Sequence, residues 1–304
     1  MAADDRAAMP LAVTLSGVDR HAPAGSVIRV WVLTTRMSPA VRAKLERVGS
    51  SWAQTRLSFV EVSPEALERL PEVGHLTRET YLRLLLPELL NDLERVIYLD
   101  ADLLVQRDLM PLASYELNGW PLAAVPDVAA PVVGANEGLS FYFAGADRPS
   151  RDARTINAGV LVFDLEAWRR RRLADDLVSF LVEYSDHLRW ADQDAINCLL
   201  AHEIEYLPLE FNVMSLWGTH PPLMDEERVR VDACLSEPGA APVVWHFAGR
   251  VKPWKPQSLR SRYRRMYHEA LGRSGWFGTR LAFRAWQAKW FANNGRRMLG
   301  LLDV

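Results

Sequence analysis

The sequence alternates apolar runs of strand length with segments of helical spacing, and this alternation limits the folds open to the chain. VIRVWVLT at 27–34 and LSFVEV at 57–62 are typical of buried strands. Each run is followed by a Ser-Pro pair, at 38–39 and 63–64, which predicts the start of a helix. Strands that alternate with helices at this spacing predict an α/β fold with a mostly parallel central sheet flanked by helices.

The alternation continues through most of the chain. A helical pattern at 77–90 leads into the strand RVIYL at 95–99, and NAGVLVFDL at 157–165 precedes further helical segments. The 304 residues, 49% of them hydrophobic, are enough for a large core. After the alternation ends, the chain becomes aromatic and basic. We therefore predict a domain at 1–255 and a helical, basic C-terminal extension at 256–304.

Two aspartates, Asp100 and Asp102, follow the strand at 95–99 directly. In open α/β sheets, ligands bind beyond the carboxyl ends of the strands. Two neighbouring carboxylates raise each other's pKa unless a cation lies between them, and Mg²⁺ or Mn²⁺ prefers such oxygen ligands. The pair therefore predicts half of a metal site that could hold a diphosphate. The alternative is that one aspartate caps a turn while the other is solvated.

A second polar stretch, HFAGRVKPW at 246–254, also follows an apolar run. His246 would add an imidazole to the carboxylates, which favours Mn²⁺ over Mg²⁺. Gly249 would allow the backbone to approach a ligand, and Lys252 carries a charge suited to phosphate. Taken alone, His246 is more often a structural histidine, and only its combination with the aspartates indicates a metal site.

Two further stretches carry candidate polar contacts. In WADQDAINCLL at 190–200, Asp192 either caps a helix or serves the site, and the neutral amide of Gln193 can hydrogen-bond a polar ligand. INAGV at 156–160 places Asn157 and two small residues where a side-chain amide and a close backbone approach would recognise hydroxyl groups.

Cysteine content and the N-terminal residues bear on location. Cys198 and Cys234 are the only cysteines and have no metal-ligand spacing, which predicts reduced thiols in a cytosolic setting. The first residues are acidic where a secretory signal would be basic, and no apolar run is long enough to cross a bilayer. We therefore expect a cytoplasmic protein, at most peripheral on the inner face of a membrane.

The charge of the chain is concentrated at one end. Residues 256–304 contain ten Lys or Arg and two acidic residues, a net charge of +8 against −10 for the rest. Aromatic and leucine residues alternate with these cations at 276–302, which predicts an amphipathic helix suited to an anionic membrane surface rather than to a nucleic acid. The alternative is a helix packed on the domain with its basic residues solvated.

Four motifs in order, YLDADLLV, NAGVLVFDLEAWR, DQDAIN and HFAGRVKPW, resemble those of the family-8 glycosyltransferases. Within that family the chain is most similar to the bacterial lipopolysaccharide galactosyltransferase and glucosyltransferase branch, relatives of glycogenin. The resemblance covers about residues 2–256 and implies a GT-A nucleotide-diphospho-sugar transferase fold. It also implies bound Mn²⁺ or Mg²⁺, a UDP-sugar donor, a saccharide or glycolipid acceptor, and transfer of a hexose with retention of configuration.

The resemblance implies a role for each matching residue. Asp100, Asp102 and His246 correspond to metal ligands, and Gln193 and Asp192 lie at positions near the reacting carbon. The positions that correspond to donor contacts are Asp4, Arg83, Asp127, Asn157, Ala158, Gly249 and Lys252. Ala7 replaces an aromatic residue that stacks on uracil in relatives, which predicts uridine binding weaker by roughly 1–3 kcal/mol.

Two other functions are compatible with parts of this pattern. A degraded transferase that only binds sugar nucleotide is favoured by Ala7 and by the lack of an apolar strand before Ala2. A haloacid-dehalogenase-type phosphatase would use Asp100 as its nucleophile, but HFAGRVKPW does not suit that enzyme class.

Overall fold

The computed structural model describes residues 1–74, 76–128, 132, 133, 139, 142, 153–214, 242–249, 252–255 and 263–299. Cys234 and most of the predicted loop at 128–155 lie outside these residues. The α-helices of the described part are α1 (Ala8–His21), α2 (Pro39–Gly49), α3 (Leu86–Leu89), α4 (Leu165–Arg171), α5 (Leu173–Glu183), α6 (Asp192–Leu199), α7 (Tyr263–Arg273) and α8 (Arg280–Leu299). The strands are β1 (Ile28–Thr34), β2 (Thr55–Glu61), β3 (Arg95–Leu99), β4 (Leu103–Val105), β5 (Leu122–Pro126), β6 (Ile156–Asp164), β7 (Ile204–Tyr206), β8 (Val213–Met214) and β9 (Val244–His246). Short 3₁₀ helices lie at Pro64–Leu67, Arg78–Leu85, Met110–Leu112, Ser185–His187 and Leu209–Phe211.

The strands of the described residues form three sheets. β1 and β2 pair in parallel, and a single parallel bridge joins Ala2 to Leu33 of β1. The largest sheet has the order β3-β6-β5-β7, in which β3, β5 and β7 run one way and β6 runs against them. In the third sheet, β9 lies between β4 and β8. The α/β fold is therefore confirmed, with one antiparallel strand inside the main sheet.

Helices cover both faces of the main sheet. In β6, Leu161 and Phe163 pack into a core cluster with α4 and α5, whereas Val160 and Val162 pack into a second cluster with α1 and α2. Because both faces are covered, the strand is apolar at successive positions rather than at alternate ones.

Helix α1 has no counterpart among the predicted elements. Its interior contains Thr14 and Gly17, which weaken a helical pattern. In the structure the Thr14 hydroxyl lies 2.8 Å from the carbonyl oxygen of Leu103, and a Cβ atom added to Gly17 would lie 2.7 Å from the carbonyl oxygen of Val105. Close packing against β4, rather than intrinsic propensity, therefore favours these residues in this helix.

Three predicted helices differ in form. The helix expected after 63–64 is a 3₁₀ helix, Pro64–Leu67, and the pattern at 77–90 is a longer 3₁₀ helix followed by α3. The segment after β6 is broken between α4 and α5 at Arg172, which has a φ of 56°. The predicted α2 begins as expected, because the Ser38 side chain accepts a hydrogen bond from the Val41 amide.

The described part of the C-terminal extension packs on the rest of the chain. Tyr263 and Tyr267 of α7 share a core cluster with Val13 of α1 and Trp245 of β9. The predicted helix at 276–302 is present as α8 at Arg280–Leu299, and its side chains Phe283 and Trp286 pack against this same cluster.

The indole N–H of Trp290, near the middle of α8, donates to the carbonyl oxygen of Trp254 at 2.9 Å. These aromatic side chains therefore pack on the domain, as the alternative to a membrane-facing helix predicts. None of the helices in the described ranges is long and apolar enough to cross a membrane.

Candidate active site

The predicted metal ligands come together where β3 ends and β4 begins. Asp100 and Asp102 lie in the turn between these two strands. β4 pairs with β9 so that Leu103 lies opposite His246, which brings the imidazole next to the carboxylates. The Nε2 atom of His246 lies 3.4 Å from an oxygen of Asp102 and 3.9 Å from an oxygen of Asp100.

This cluster has the chemistry of a divalent cation site. One ligand atom from each of the three residues lies within 4.8 Å of the other two. The imidazole is buried, whereas the Asp100 and Asp102 side chains are 24% and 21% exposed, so an ion can reach them from solvent. Two carboxylates and an imidazole suit Mn²⁺. The residues present therefore fit the ion that the resemblance implies.

Lys252 lies against the same cluster. Gly249, in the loop after β9, has a φ of 80°, a conformation that side chains disfavour. Beyond it, the Lys252 ammonium pairs with Asp102 and donates to the carbonyl oxygen of Phe247 at 2.6 Å. Burial would raise the pKa of Asp102, but Lys252 and His246 outweigh it and hold this pKa well below its usual range. Asp102 is therefore ionised and available to a cation.

Arg83 connects the cation cluster to Asp192. It is 4% exposed, and its guanidinium lies 3.0 Å from a carboxylate oxygen of both Asp100 and Asp192. The Arg83 Nε–H donates to the carbonyl oxygen of Thr80, so within the described residues Asp192 Oδ2 accepts no hydrogen bond. Burial raises the pKa of Asp192, and Arg83 opposes this effect. Asp192 is thus held as a buried carboxylate whose second oxygen faces only the Arg83 guanidinium among the described residues.

Asp192 is not the cap of its helix. It is the first residue of α6, after Ala191, and no side chain caps that position. Instead, Asp194 Oδ2 accepts hydrogen bonds from the backbone amides of Arg189 and Trp190, both at 2.7 Å. The capping alternative for Asp192 is therefore wrong, because Asp194 stabilises this helix start.

Three of the predicted donor contacts form one hydrogen-bonded group with Gln193. The Gln193 Oε1 atom accepts from Asn157 Nδ2 at 3.2 Å and from the Ala158 amide at 3.1 Å. Its Nε2 atom donates to Asp127 Oδ2 at 2.9 Å. The Ala158 carbonyl in turn accepts from Arg83. Sequence positions spread over more than a hundred residues are thereby joined in one network.

An irregularity in the main sheet frees the backbone for these contacts. The register of β5 against β6 shifts between Ala124 and Val125, opposite residues 158–160. In this stretch the Gly159 amide donates to Asn157 Oδ1 at 3.0 Å, and the Gly159 carbonyl accepts from the Asp100 amide at 2.9 Å. The Gly159 carbonyl thus continues the pairing of β6 with β3, and the Ala158 amide and carbonyl, within the irregularity, bond Gln193 and Arg83.

Gly159 is also the small residue that His246 requires. A Cβ atom at this position would lie 2.4 Å from Cε1 and 2.6 Å from Nδ1 of the His246 ring. The small residues of INAGV were predicted to let the backbone approach the hydroxyl groups of a ligand. At Gly159, the group that approaches the backbone is the His246 imidazole.

Asp4 and Ala7 lie together at the start of α1. Asp4 Oδ1 accepts a hydrogen bond from the Ala7 amide at 2.9 Å, and Ala7 is the residue that precedes the helix. Their part in binding a base stays a prediction.

Three further residues contribute to the site and were not predicted from the sequence. Thr80 Oγ1 donates to Asp192 Oδ1 at 2.7 Å, and the Tyr98 hydroxyl donates to Asp100 Oδ1 at 3.1 Å. Asn212, which is 4% exposed, lies 2.9 Å from the His246 Nδ1 atom. The only signal for Asn212 in the sequence was a polar residue between the apolar positions of EFNVM.

Comparisons with known proteins agree with this geometry. The model of the family described as glycosyl transferase family 8 matches residues 1–258. The chain belongs to glycosyl transferase family 8. A curated relative, General stress protein A of Bacillus subtilis, is 25% identical to this family-8 chain over 82% of the chain and 84% of the relative. Lipopolysaccharide 1,2-glucosyltransferase of Escherichia coli K12 is 28% identical over 73% of the chain, which spans 62% of that protein.

A solved structure extends the comparison to the fold. The galactosyltransferase LgtC, in complex with donor and acceptor sugar analogs, is 28% identical to this family-8 chain. The match covers 89% of the chain and 94% of LgtC, with a TM-score of 0.70. The GT-A fold and the resemblance are therefore confirmed, and family membership supports a transferase rather than the alternative phosphatase.

Proposed function

We propose that this family-8 chain transfers a hexose, galactose or glucose, from a UDP-sugar to a saccharide or glycolipid acceptor of the lipopolysaccharide type. Mn²⁺ is the proposed cofactor, with Mg²⁺ as the alternative, and the configuration at the sugar is retained. The observation that carries the proposal is the cluster of Asp100, Asp102 and His246, joined through Arg83 to Asp192.

The cation side of the site is suited to a departing diphosphate. A divalent cation held by Asp100, Asp102 and His246 would supply Lewis-acid stabilisation of the charge that develops on that group. Lys252 adds a positive charge at the same edge, where it already neutralises Asp102. Gly249 has a positive φ, which glycine adopts readily, and would let the backbone that leads to Lys252 approach the phosphates.

The other side of the site is suited to the donor sugar. Asp127, Asn157, Ala158 and Gln193 offer amide and carboxylate groups for sugar hydroxyls, and Asp192, ion-paired to Arg83, lies next to them. An amide is a poor nucleophile. We therefore assign Gln193 an orienting role near the anomeric carbon, with the acceptor attacking from the face that the diphosphate leaves.

UDP release from a panel of UDP-sugars, with and without Mn²⁺ or Mg²⁺, tests this function. We expect release from one donor to depend on the cation and to fall about a hundredfold or more in Asp102→Asn. Asp92→Asn, at an exposed position before the first residue of β3 and so at the opposite end of that strand from Asp100, is the matched control and should keep full activity.

The same experiment separates the alternatives. Cation-dependent UDP binding without turnover would establish the non-catalytic sugar-nucleotide protein that Ala7 favours. Neither turnover nor cation-dependent binding of UDP would refute the proposed function.

We also propose a cytoplasmic location with peripheral contact to an anionic membrane surface. Phe283, Trp286 and Trp290 of α8 pack inward, so the contact would rest on exposed basic residues of this helix, Arg280, Arg284 and Lys289. The exposed side chain of Leu281, at 79%, lies beside them. The positive charge of the extension supports this orientation.

A further inference from the structure

We infer that Asn212 is a positioning residue: it holds the His246 imidazole with Nε2 as the open nitrogen and links this ring to the Gln193 amide. The inference rests on the proposed function, because it treats His246 as a cation ligand and Gln193 as a contact of the donor sugar. Asn212 lies between the 3₁₀ helix Leu209–Phe211 and β8, and its side chain is buried.

The direction of these hydrogen bonds follows from a backbone amide. The Gly159 N–H can only donate, and its partner at 3.0 Å is therefore the Oδ1 atom of Asn157. The Asn212 atom that lies 2.8 Å from this same oxygen must then be a donor, Nδ2. This leaves Asn212 Oδ1 facing His246 Nδ1 at 2.9 Å, so Nδ1 carries the proton. Nε2 lies on the side of Asp100 and Asp102 and is thereby left as the nitrogen that a cation would take in place of a proton.

A second backbone amide fixes the other end of the row. The Ala158 N–H donates to Gln193 Oε1, and Asn157 Nδ2 donates to the same oxygen. Gln193 Nε2 is thereby left to donate to Asp127. Each side-chain amide has only one orientation that satisfies its neighbours, and the donors all point from His246 towards Asp127.

A row of this kind couples its two ends. A cation on Nε2 makes Nδ1–H a stronger donor, and hydrogen bonds in a chain polarise one another. Cation binding at His246 therefore strengthens the bonds that orient Asn157 and Gln193. Asn212 is the residue through which this effect passes, because its side chain bonds His246 on one side and Asn157 on the other.

The tautomer is measured without any cation. In protein labelled with ¹⁵N at histidine, the chemical shift of each ring nitrogen of His246 reports whether that nitrogen carries a proton. We expect Nδ1–H in the native protein and a mixture of tautomers in Asn212→Leu, which keeps the size of the side chain and removes both hydrogen bonds. An unchanged tautomer in the variant would overturn the inference.

Cation affinity is measured with MnCl₂ alone, from the electron paramagnetic resonance signal of free Mn²⁺. We expect Asn212→Leu to bind Mn²⁺ about 10- to 100-fold more weakly. Asn197→Leu is the matched control, because Asn197 is equally buried at 4% exposure and its side chain bonds the backbone amide and carbonyl of Ile156 on β6. Its Mn²⁺ affinity should equal that of the native protein, whatever stability it loses.

Asn212→Asp separates the two contacts of this side chain. A carboxylate still accepts from His246 Nδ1, so the tautomer and the Mn²⁺ affinity should stay close to native. It no longer donates to Asn157, so the KM for the donor should rise about 2- to 10-fold while kcat changes less. Unchanged KM in this variant would overturn the link to Gln193.

The outcomes distinguish this inference from the proposed function. A native protein that binds no Mn²⁺ would refute the proposed cofactor, and the tautomer measurement would still decide the role of Asn212. Native Mn²⁺ binding that Asn212→Leu leaves unchanged would overturn the inference alone. Should the leucine variant not fold, Asn212→Ser, which cannot span both partners, is judged by the same criteria.

Discussion

Arg83 is the residue whose charge holds the buried part of the site together. Its guanidinium faces Asp192, which is 2% exposed, and Asp100. Removing one partner of a buried ion pair leaves the other charge uncompensated, which costs far more than the pair itself contributes. The stability of the chain should therefore depend on Arg83 more than on its exposed arginines.

We expect Arg83→Met to lower the free energy of unfolding by about 3–5 kcal/mol at neutral pH. Loss of Arg83 raises the pKa of Asp192 further above its unfolded value. The destabilisation should therefore be largest above both pKa values and shrink as the pH falls towards the unfolded value of aspartate. Urea unfolding across this range measures both effects.

Arg42→Met is the matched control for this prediction. Its ion pairs with Glu46 and Glu61 are exposed, with side-chain exposures of 40%, 53% and 76%, so it should cost less than about 1 kcal/mol. Equal losses of unfolding free energy in the two variants would show that the buried Arg83 contributes no more to stability than an exposed arginine.

At the scale of residues, the sequence predicted the candidate metal ligands but not the residue that positions them. Asp100, Asp102 and His246 follow apolar runs, so their place at strand ends was predictable. Asn212 was not, because its function depends on pairing between β8 and β9, which are joined by residues 215–243 of the chain. A single buried amide leaves no periodic signal of its own.

At the scale of elements, α1 and β4 pack closely because Gly17 of α1 has no side chain. Gly17→Ala would place a Cβ atom 2.7 Å from a backbone oxygen of Val105, so the helix or the strand must move. We expect the free energy of unfolding to fall by about 1–3 kcal/mol, although alanine favours the helix itself. Gly49→Ala in α2, where the nearest atom is 3.4 Å away, should be neutral or slightly stabilising in the same unfolding assay.

The contact between α7 and α8 should respond to acid. His268 of α7 lies against the rings of Trp286 and Trp290, with centroids 5.4 and 5.1 Å away. Burial, together with Arg264, lowers the pKa of His268 to about 4 from 6.5. Below pH 6.5, His268 therefore binds a proton in the unfolded chain but not in the folded one. The free energy of unfolding falls as the pH falls towards 4.

We expect His268→Phe to lose this part of the acid sensitivity. The difference in free energy of unfolding between the two proteins should change by at most about 1.4 kcal/mol per pH unit over that window. Carboxylates titrate in both proteins, so only the difference between them reports on His268. Parallel pH profiles would contradict the prediction.

The elements that the sequence predicted well are those with an apolar run or a Ser-Pro start. β3, β6 and α2 lie close to their expected bounds. α1 was missed because packing against β4 selects the small and hydroxyl residues that local propensity counts against a helix. The break at Arg172 was missed because its positive φ is imposed by the two helices on either side, not by the residue type.

At the scale of the whole molecule, charge and packing divide the C-terminal extension into two functions. Phe283, Trp286 and Trp290 hold α8 on the chain, whereas Arg280, Arg284 and Lys289 are exposed. We expect replacement of Arg280, Arg284 and Lys289 by glutamine to weaken binding to anionic vesicles, by about 1 kcal/mol per residue at low salt. Cosedimentation with phosphatidylserine vesicles measures this.

A protein with Arg47, Arg69 and Arg172 replaced by glutamine carries the same net charge and is the control. These exposed residues lie outside the extension, so its vesicle binding should match that of the native protein. Equal weakening of both proteins, or no binding by the native one, would contradict the membrane contact. The fold should survive both sets of replacements, because exposed charges contribute little to stability.

The contact between Gly159 and His246 has a consequence for the evolution of such sites. Because no side chain fits between them, the two positions cannot drift independently. A descendant that gains any side chain at 159 must first give up the imidazole, and with it one candidate ligand. A change at the glycine, a residue with no functional group, would therefore mark the loss of a cation-dependent site.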